Sequence, residues 1–143
     1  MPTGFGSEVE PVMDRSQSRQ LESPLILLAE DNEASITTFS SYLEAKGYRI
    51  ILAKDGQQAI NLSKANHPDL ILMDIQMPVI NGLEAIKQIR LEPDLVDIPI
   101  IALTALTMTG DRERCLKVGA SDYLAKPVKL KALDKMIQTW LTN

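Results

Sequence analysis

Four times this chain runs through four to six consecutive apolar residues, and each run stops on a polar side chain. The runs are Leu25–Ala29, Ile50–Ala53, Leu70–Met73 and, with Pro99 near its start, Ile98–Leu103. A short stretch that is apolar at every position reads as a strand buried on both faces. Two-sided burial needs covering helices, and the segments between the runs supply them. Ile36, Phe39 and Leu43 recur at helical spacing up to Lys46-Gly47, where Gly47 suits the left-handed terminal position. Asp55-Gly56 makes a turn, and Gln57–Asn66 is a weaker amphipathic helix, stopped by His67-Pro68. Leu83, Ile86 and Ile89 form the face of a third helix that ends before Pro93. Asp111–Val118 is a short polar helix stopped by Gly119.

A fifth, shorter strand, Asp122–Ala125, is broken by Lys126-Pro127, and Leu130, Leu133, Ile137 and Leu141 make a last helical stripe. Five strands alternating with five helices predict an α/β fold with one parallel sheet covered on both faces. Right-handed crossovers make the order 2-1-3-4-5 the simplest arrangement, a flavodoxin-like three-layer sandwich. Residues 24–143 are expected to form this unit. Residues 1–23, rich in Gly, Ser, Pro, Gln and charge, read as a flexible extension or linker.

Composition excludes several classes of function. A formal net charge of −4 gives no electrostatic footprint for nucleic acid. One cysteine, Cys115, cannot form an internal disulfide, and with His67 as the one histidine a Cys/His zinc site is excluded. No apolar segment approaches membrane-spanning length, and the N-terminus lacks the basic-then-apolar pattern of a secretory signal. The expected compartment is the cytoplasm. No Gly-rich loop follows the first strand, which removes the main support for a nucleotide-binding P-loop or dinucleotide fold.

In a sheet of this order, function collects where the strands end. Glu30 and Asp31 leave strand 1, Asp74 strand 3, Thr104 strand 4 and Lys126 strand 5. Three carboxylates brought together repel unless a cation intervenes. Oxygen ligands in small number suit Mg²⁺, with Mn²⁺ as a substitute. A carboxylate nucleophile, a divalent cation, a lysine and a hydroxyl are the parts that phosphoryl transfer needs. Asp74 is therefore the expected phosphoacceptor.

The motifs that carry these residues have a familiar form. They are Leu28-Ala29-Glu30-Asp31-Asn32, Met73-Asp74-Ile75-Gln76-Met77-Pro78 with Gly82, Ala102-Leu103-Thr104-Ala105, and Gly119-Ala120-Ser121-Asp122-Tyr123-Leu124-Ala125-Lys126-Pro127. In this order they resemble the receiver domain of response regulators, the phosphoacceptor module of two-component and phosphorelay signalling. The resemblance implies that Asp74 takes a phosphoryl group from a phosphohistidine, on a histidine kinase or a histidine phosphotransfer protein. It implies that Asp31 binds the metal directly, Glu30 largely through water, and the Gln76 backbone carbonyl as a further ligand. Glu stands where many relatives carry Asp, a variant with longer reach. Thr104 and Lys126 would bind the phosphoryl oxygens, and the Lys126–Pro127 peptide would be cis, aiming the lysine at the site. Thr104 and Tyr123 would form the switch. The face of helix 4, strand 5 and helix 5 would then change partners, a second copy of the chain included. Gln76 and Leu106 flank the site at positions that tune dephosphorylation.

Two rival readings weigh against this one. An aspartate-based phosphohydrolase generally needs a second acid two residues after its nucleophile, where this chain has Gln76. A binding module without phosphorylation would have no use for Asp74, Thr104 and Lys126 together. The chain is therefore expected to be a signalling module and not an enzyme. It is expected to stand alone or to belong to a larger protein such as a hybrid histidine kinase. Cys115 is expected to be partly packed on helix 4, His67 to lie in an exposed loop, and Trp140 to serve either as core rim or as a partner contact.

Overall fold

The computed structural model describes residues 23–105 and 110–142, so most of the expected N-terminal extension and Leu106 lie outside the described residues. Five parallel strands form one sheet, in the order β2-β1-β3-β4-β5. They are β1 (Leu25–Ala29), β2 (Arg49–Ala53), β3 (Leu70–Asp74), β4 (Ile100–Thr104) and β5 (Asp122–Ala125). The helices are α1 (Glu33–Ala45), α2 (Gly56–Asn66), α3 (Gly82–Arg90), α4 (Asp111–Lys117) and α5 (Leu130–Leu141), with a short 3₁₀ turn at Pro93–Leu95.

The fold class and strand order agree with the sequence pattern. Several boundaries shift by a residue or two, and two of the shifts have a clear local reason. The fourth strand begins at Ile100, after Pro99, because proline has no N–H for the ladder. Helix α2 begins at Gly56, because Asp55 caps it by accepting the Gln58 N–H at 2.8 Å. Asn32 and Asn81 cap α1 and α3 in the same way, each at 2.9 Å. All three caps therefore lie at the strands' carboxyl edge. Gly47 has a φ of 98°, just past the end of α1, as expected.

Strand residues alternate between two cores. Leu27, Ala29, Ile71, Met73, Ile100 and Ala102 face α2, α3 and α4, meeting Ile60, Ile86, Ile89 and Cys115. Ile26, Leu28, Leu70, Leu72, Ile101 and Leu103 face α1 and α5, meeting Phe39, Leu43, Leu133 and Ile137. Burying each large side chain contributes about 1.5–3 kcal/mol before chain entropy is subtracted. Cys115 is more deeply placed than expected: it is 2% exposed, at the centre of the α4 contact. His67 is exposed and ends α2 in a left-handed conformation with φ 46°.

At the opposite edge, Arg90 ties α3 to the 95–96 and 119–121 segments. Its Nε donates to Gly119 O at 2.8 Å and its Nη1 to Leu95 O and Val96 O at 3.0 and 3.2 Å. Its Nη2 donates to Ser121 Oγ at 3.2 Å. These bonds offset its partial burial, which lowers the guanidinium pKa. They fix where α4 hands over to β5.

Candidate functional site

Register brings the site together. Ala29 pairs with Met73, Asp74 with Leu103 and Thr104 with Ala125. Residues just beyond Ala29 therefore meet the end of β3, and Lys126 follows directly on β5. Carboxylate oxygens of Glu30, Asp31 and Asp74 lie within 4.8 Å of one another. Glu30 is 1% and Asp74 2% exposed, while Asp31 faces solvent.

Each buried acid is held by specific donors. The Gln76 N–H donates to Asp74 Oδ1 at 3.0 Å, and Lys126 Nζ sits 2.9 Å from Asp74 Oδ2. The Asn32 N–H donates to Glu30 Oε2 at 3.1 Å. Glu30 Oε1 is buried and accepts no hydrogen bond, with Lys126 Nζ 3.7 Å away. Burial pushes the Glu30 carboxyl above its ordinary range; the Asn32 N–H pulls it down, and the nearby Asp74 pushes it up again. One lysine among three carboxylates leaves the site short of positive charge. An oxygen-only donor set with one buried, unpartnered oxygen suits a hard divalent cation of the Mg²⁺ type.

Of the remaining predicted residues, Thr104 and Lys126 occupy the same edge, while Tyr123 lies nearer the start of β5, opposite Ala102. Thr104 is the last residue of β4, 7% exposed, and its hydroxyl donates to no protein acceptor among the described residues. The Lys126–Pro127 peptide is cis. Gly82 fixes the distance between α3 and the site, since a Cβ there would fall 2.3 Å from the Asp74 carbonyl oxygen. Tyr123 is half-buried, and the Arg112 guanidinium stands 5.3 Å from its ring centroid.

Two features had no signal in the sequence. Val79, in the loop after Asp74, has φ 68° and is 78% exposed, an uncommon backbone for a β-branched residue. Asp122 accepts from the Tyr123 N–H at 2.9 Å and from Trp140 Nε1 at 3.1 Å. Of the two roles open to Trp140, the structure places it at the core rim, packed against the α1/α5 layer.

The family model of the response regulator receiver domain matches residues 26–138. The chain belongs to this family. It is 40% identical over 116 residues to the polar-differentiation response regulator DivK of Brucella ovis, spanning 81% of this chain and 94% of that relative. The receiver domain of a sensor histidine kinase from Pseudomonas aeruginosa, solved with a magnesium ion coordinated in its active-site cleft, superposes with a TM-score of 0.80 at 42% identity. That match covers 85% of this chain and 99% of the other. The chemotaxis response regulator CheY4 of Vibrio cholerae gives a TM-score of 0.78 at 29% identity, over 83% of this chain and 99% of that one. The family's general role is that of a phosphoacceptor in two-component signalling, with Mg²⁺ in the active site. Receiver domains interact with histidine kinases or phosphotransfer proteins. No helix among the described residues is long and apolar enough to cross a membrane.

Proposed function

We propose that residues 24–143 form a receiver unit in which Asp74 accepts a phosphoryl group from a phosphohistidine partner. The observation that carries this reading is the buried Asp74 carboxylate, flanked by Glu30 and Asp31 and paired with Lys126 at 2.9 Å. An Asp74 oxygen attacks phosphorus in line with the scissile bond. The P–O bond forms as the P–N bond breaks, and the departing imidazole keeps the electron pair and takes up a proton. Lys126 exchanges its carboxylate partner for a phosphoryl oxygen, and Thr104 donates its hydroxyl to another. Glu30, Asp31, Asp74 and the Gln76 carbonyl would hold Mg²⁺, or Mn²⁺ in its place. The ion, when bound, neutralises charge on the oxygens of the transferring group.

The phosphoryl donor is a histidine kinase or a histidine phosphotransfer protein. A cavity of about 500 Å³, lined by Ala34, Ser35, Thr38, Phe39, Lys126 and Pro127 among others, offers such a partner a footing beside the site. Readout follows from Thr104 and Tyr123, which shift the face of α4, β5 and α5 between two packings. That face then meets another protein or a second copy of this chain. The switch must favour the active packing by about 5.5 kcal/mol for near-complete inversion. The domain works in the cytoplasm, binds no nucleic acid by itself, and is not an enzyme acting on free phosphoesters, since Gln76 stands where a hydrolase needs an acid.

Intact-mass spectrometry with Mg²⁺ and acetyl phosphate tests the reading. The expected result is a gain of one phosphoryl group, absent in Asp74→Asn. No gain, or a gain that survives the substitution, refutes it.

A further inference from the structure

Tyr123 is held by both neighbouring helices. From α4, the Arg112 guanidinium covers its ring at 5.3 Å. From α5, the hold runs through Asp122. One carboxylate oxygen takes the Tyr123 N–H at 2.9 Å, and the other takes Trp140 Nε1–H at 3.1 Å. The two contacts share one carboxylate, and bonds to an ionised acceptor are stronger than neutral ones. Asp122 opens β5 and Trp140 lies in the last turn of α5, so this acid ties the strand to the far end of the helix.

We infer that Asp122 is a positioning residue for the switch, and that its hydrogen bond to Trp140 is a latch holding Tyr123 and α5 in the resting arrangement. The inference rests on the proposed phosphoacceptor reading. The resting assignment follows from the Asp74 carboxylate, which is still paired with Lys126 here. If β5 shifts when Tyr123 turns, the indole bond lengthens or breaks. A bond made in one state and lost in the other contributes to the equilibrium between them. By linkage, removing it must then tighten binding of whatever selects the other state. A bond made equally in both states would stabilise the fold and leave that affinity unchanged.

Asp122→Asn leaves one oxygen for two donors. Trp140→Phe keeps an aromatic ring at the core rim and removes its N–H. Beryllofluoride with Mg²⁺ serves as the phosphoryl analogue, its binding followed by fluorine NMR. Each variant is expected to bind it about fivefold more tightly than the native chain. The double variant should gain no more than either single one, because both remove one bond. In the native protein the indole N–H resonance, unique because Trp140 is the chain's one tryptophan, should move on saturation with the analogue. A native indole resonance that stays in place, or variants that melt lower with unchanged affinity, would overturn the latch. Additive gains in the double variant would overturn it too. Absence of any bound beryllofluoride on the native chain would instead sink the phosphoacceptor reading.

Discussion

Lys126→Met removes the one cation that, among the described residues, touches the acidic cluster, at nearly constant side-chain length. In the native chain Nζ lies 2.9 Å from Asp74 Oδ2 and 3.7 Å from Glu30 Oε1, and the two acid side chains are 3% and 1% exposed. At an effective dielectric constant of about 20, unit charges at the shorter distance attract by about 6 kcal/mol. That figure exceeds the net effect. The lysine side chain is 27% exposed, and its own desolvation opposes the attraction. Removing one partner of a buried pair generally costs about 3–5 kcal/mol; water reaching this lysine brings the expected loss to about 2–4 kcal/mol.

For a domain of this size that loss lowers the melting temperature by about 10 °C. The assay is thermal unfolding at neutral pH, with EDTA and then with saturating Mg²⁺. A divalent cation supplies the charge that the lysine gave, so the gap between variant and native chain should shrink by more than half in Mg²⁺. Beryllofluoride affinity in Mg²⁺ should still fall by about 10–100-fold, because a charged hydrogen bond to the ligand is lost. Equal melting temperatures in EDTA would refute the electrostatic argument. So would a gap of the same size with and without Mg²⁺, which would make the lysine's role one of packing.

Three further outcomes follow from named contacts. Gly82→Ala should destabilise the domain by about 2–3 kcal/mol and weaken beryllofluoride binding, because its Cβ would meet Asp74 O at 2.3 Å and Ile75 Cα at 2.6 Å, and backbone atoms cannot step aside; denaturant titration measures the first effect. Burial raises the Tyr48 hydroxyl above its ordinary 10.0, and Asp134, 3.4 Å away, adds to the shift. The folded chain therefore keeps a proton that the unfolded chain releases, so stability should fall as pH rises above about 10 and Tyr48→Phe should flatten that fall in pH-dependent unfolding. Burial likewise pushes the Cys115 thiol up, at 2% exposure, so it should resist thiol reagents at neutral pH until the protein unfolds, as a colorimetric thiol assay would record.

How much of this was legible beforehand depends on what each feature rests upon. The sheet and its order follow from unbroken apolar runs, since a strand such as Leu70–Asp74, buried at every residue, fits few other architectures. The site follows from topology: once parallel strands are in order, Glu30, Asp31, Asp74, Thr104 and Lys126 have nowhere to go but one edge. Periodicity reports which face is buried and says little about what a loop does once packed. It could not place Val79 at φ 68°, in a tight turn where the Ile80 N–H donates to Pro78 O at 2.8 Å. Nor could it separate the two fates of Trp140, because an indole on a helix rim suits either a core or a partner. The deciding partner, Asp122, lies 18 residues away on the neighbouring strand. It could equally have been read as a solvated acid at the start of β5. Both of its oxygens are in fact taken, one by the main chain of Tyr123 and one by α5. Position along the chain therefore located the acidic cluster, whereas the hydrogen bond that ties β5 to α5 left no trace in the periodicity.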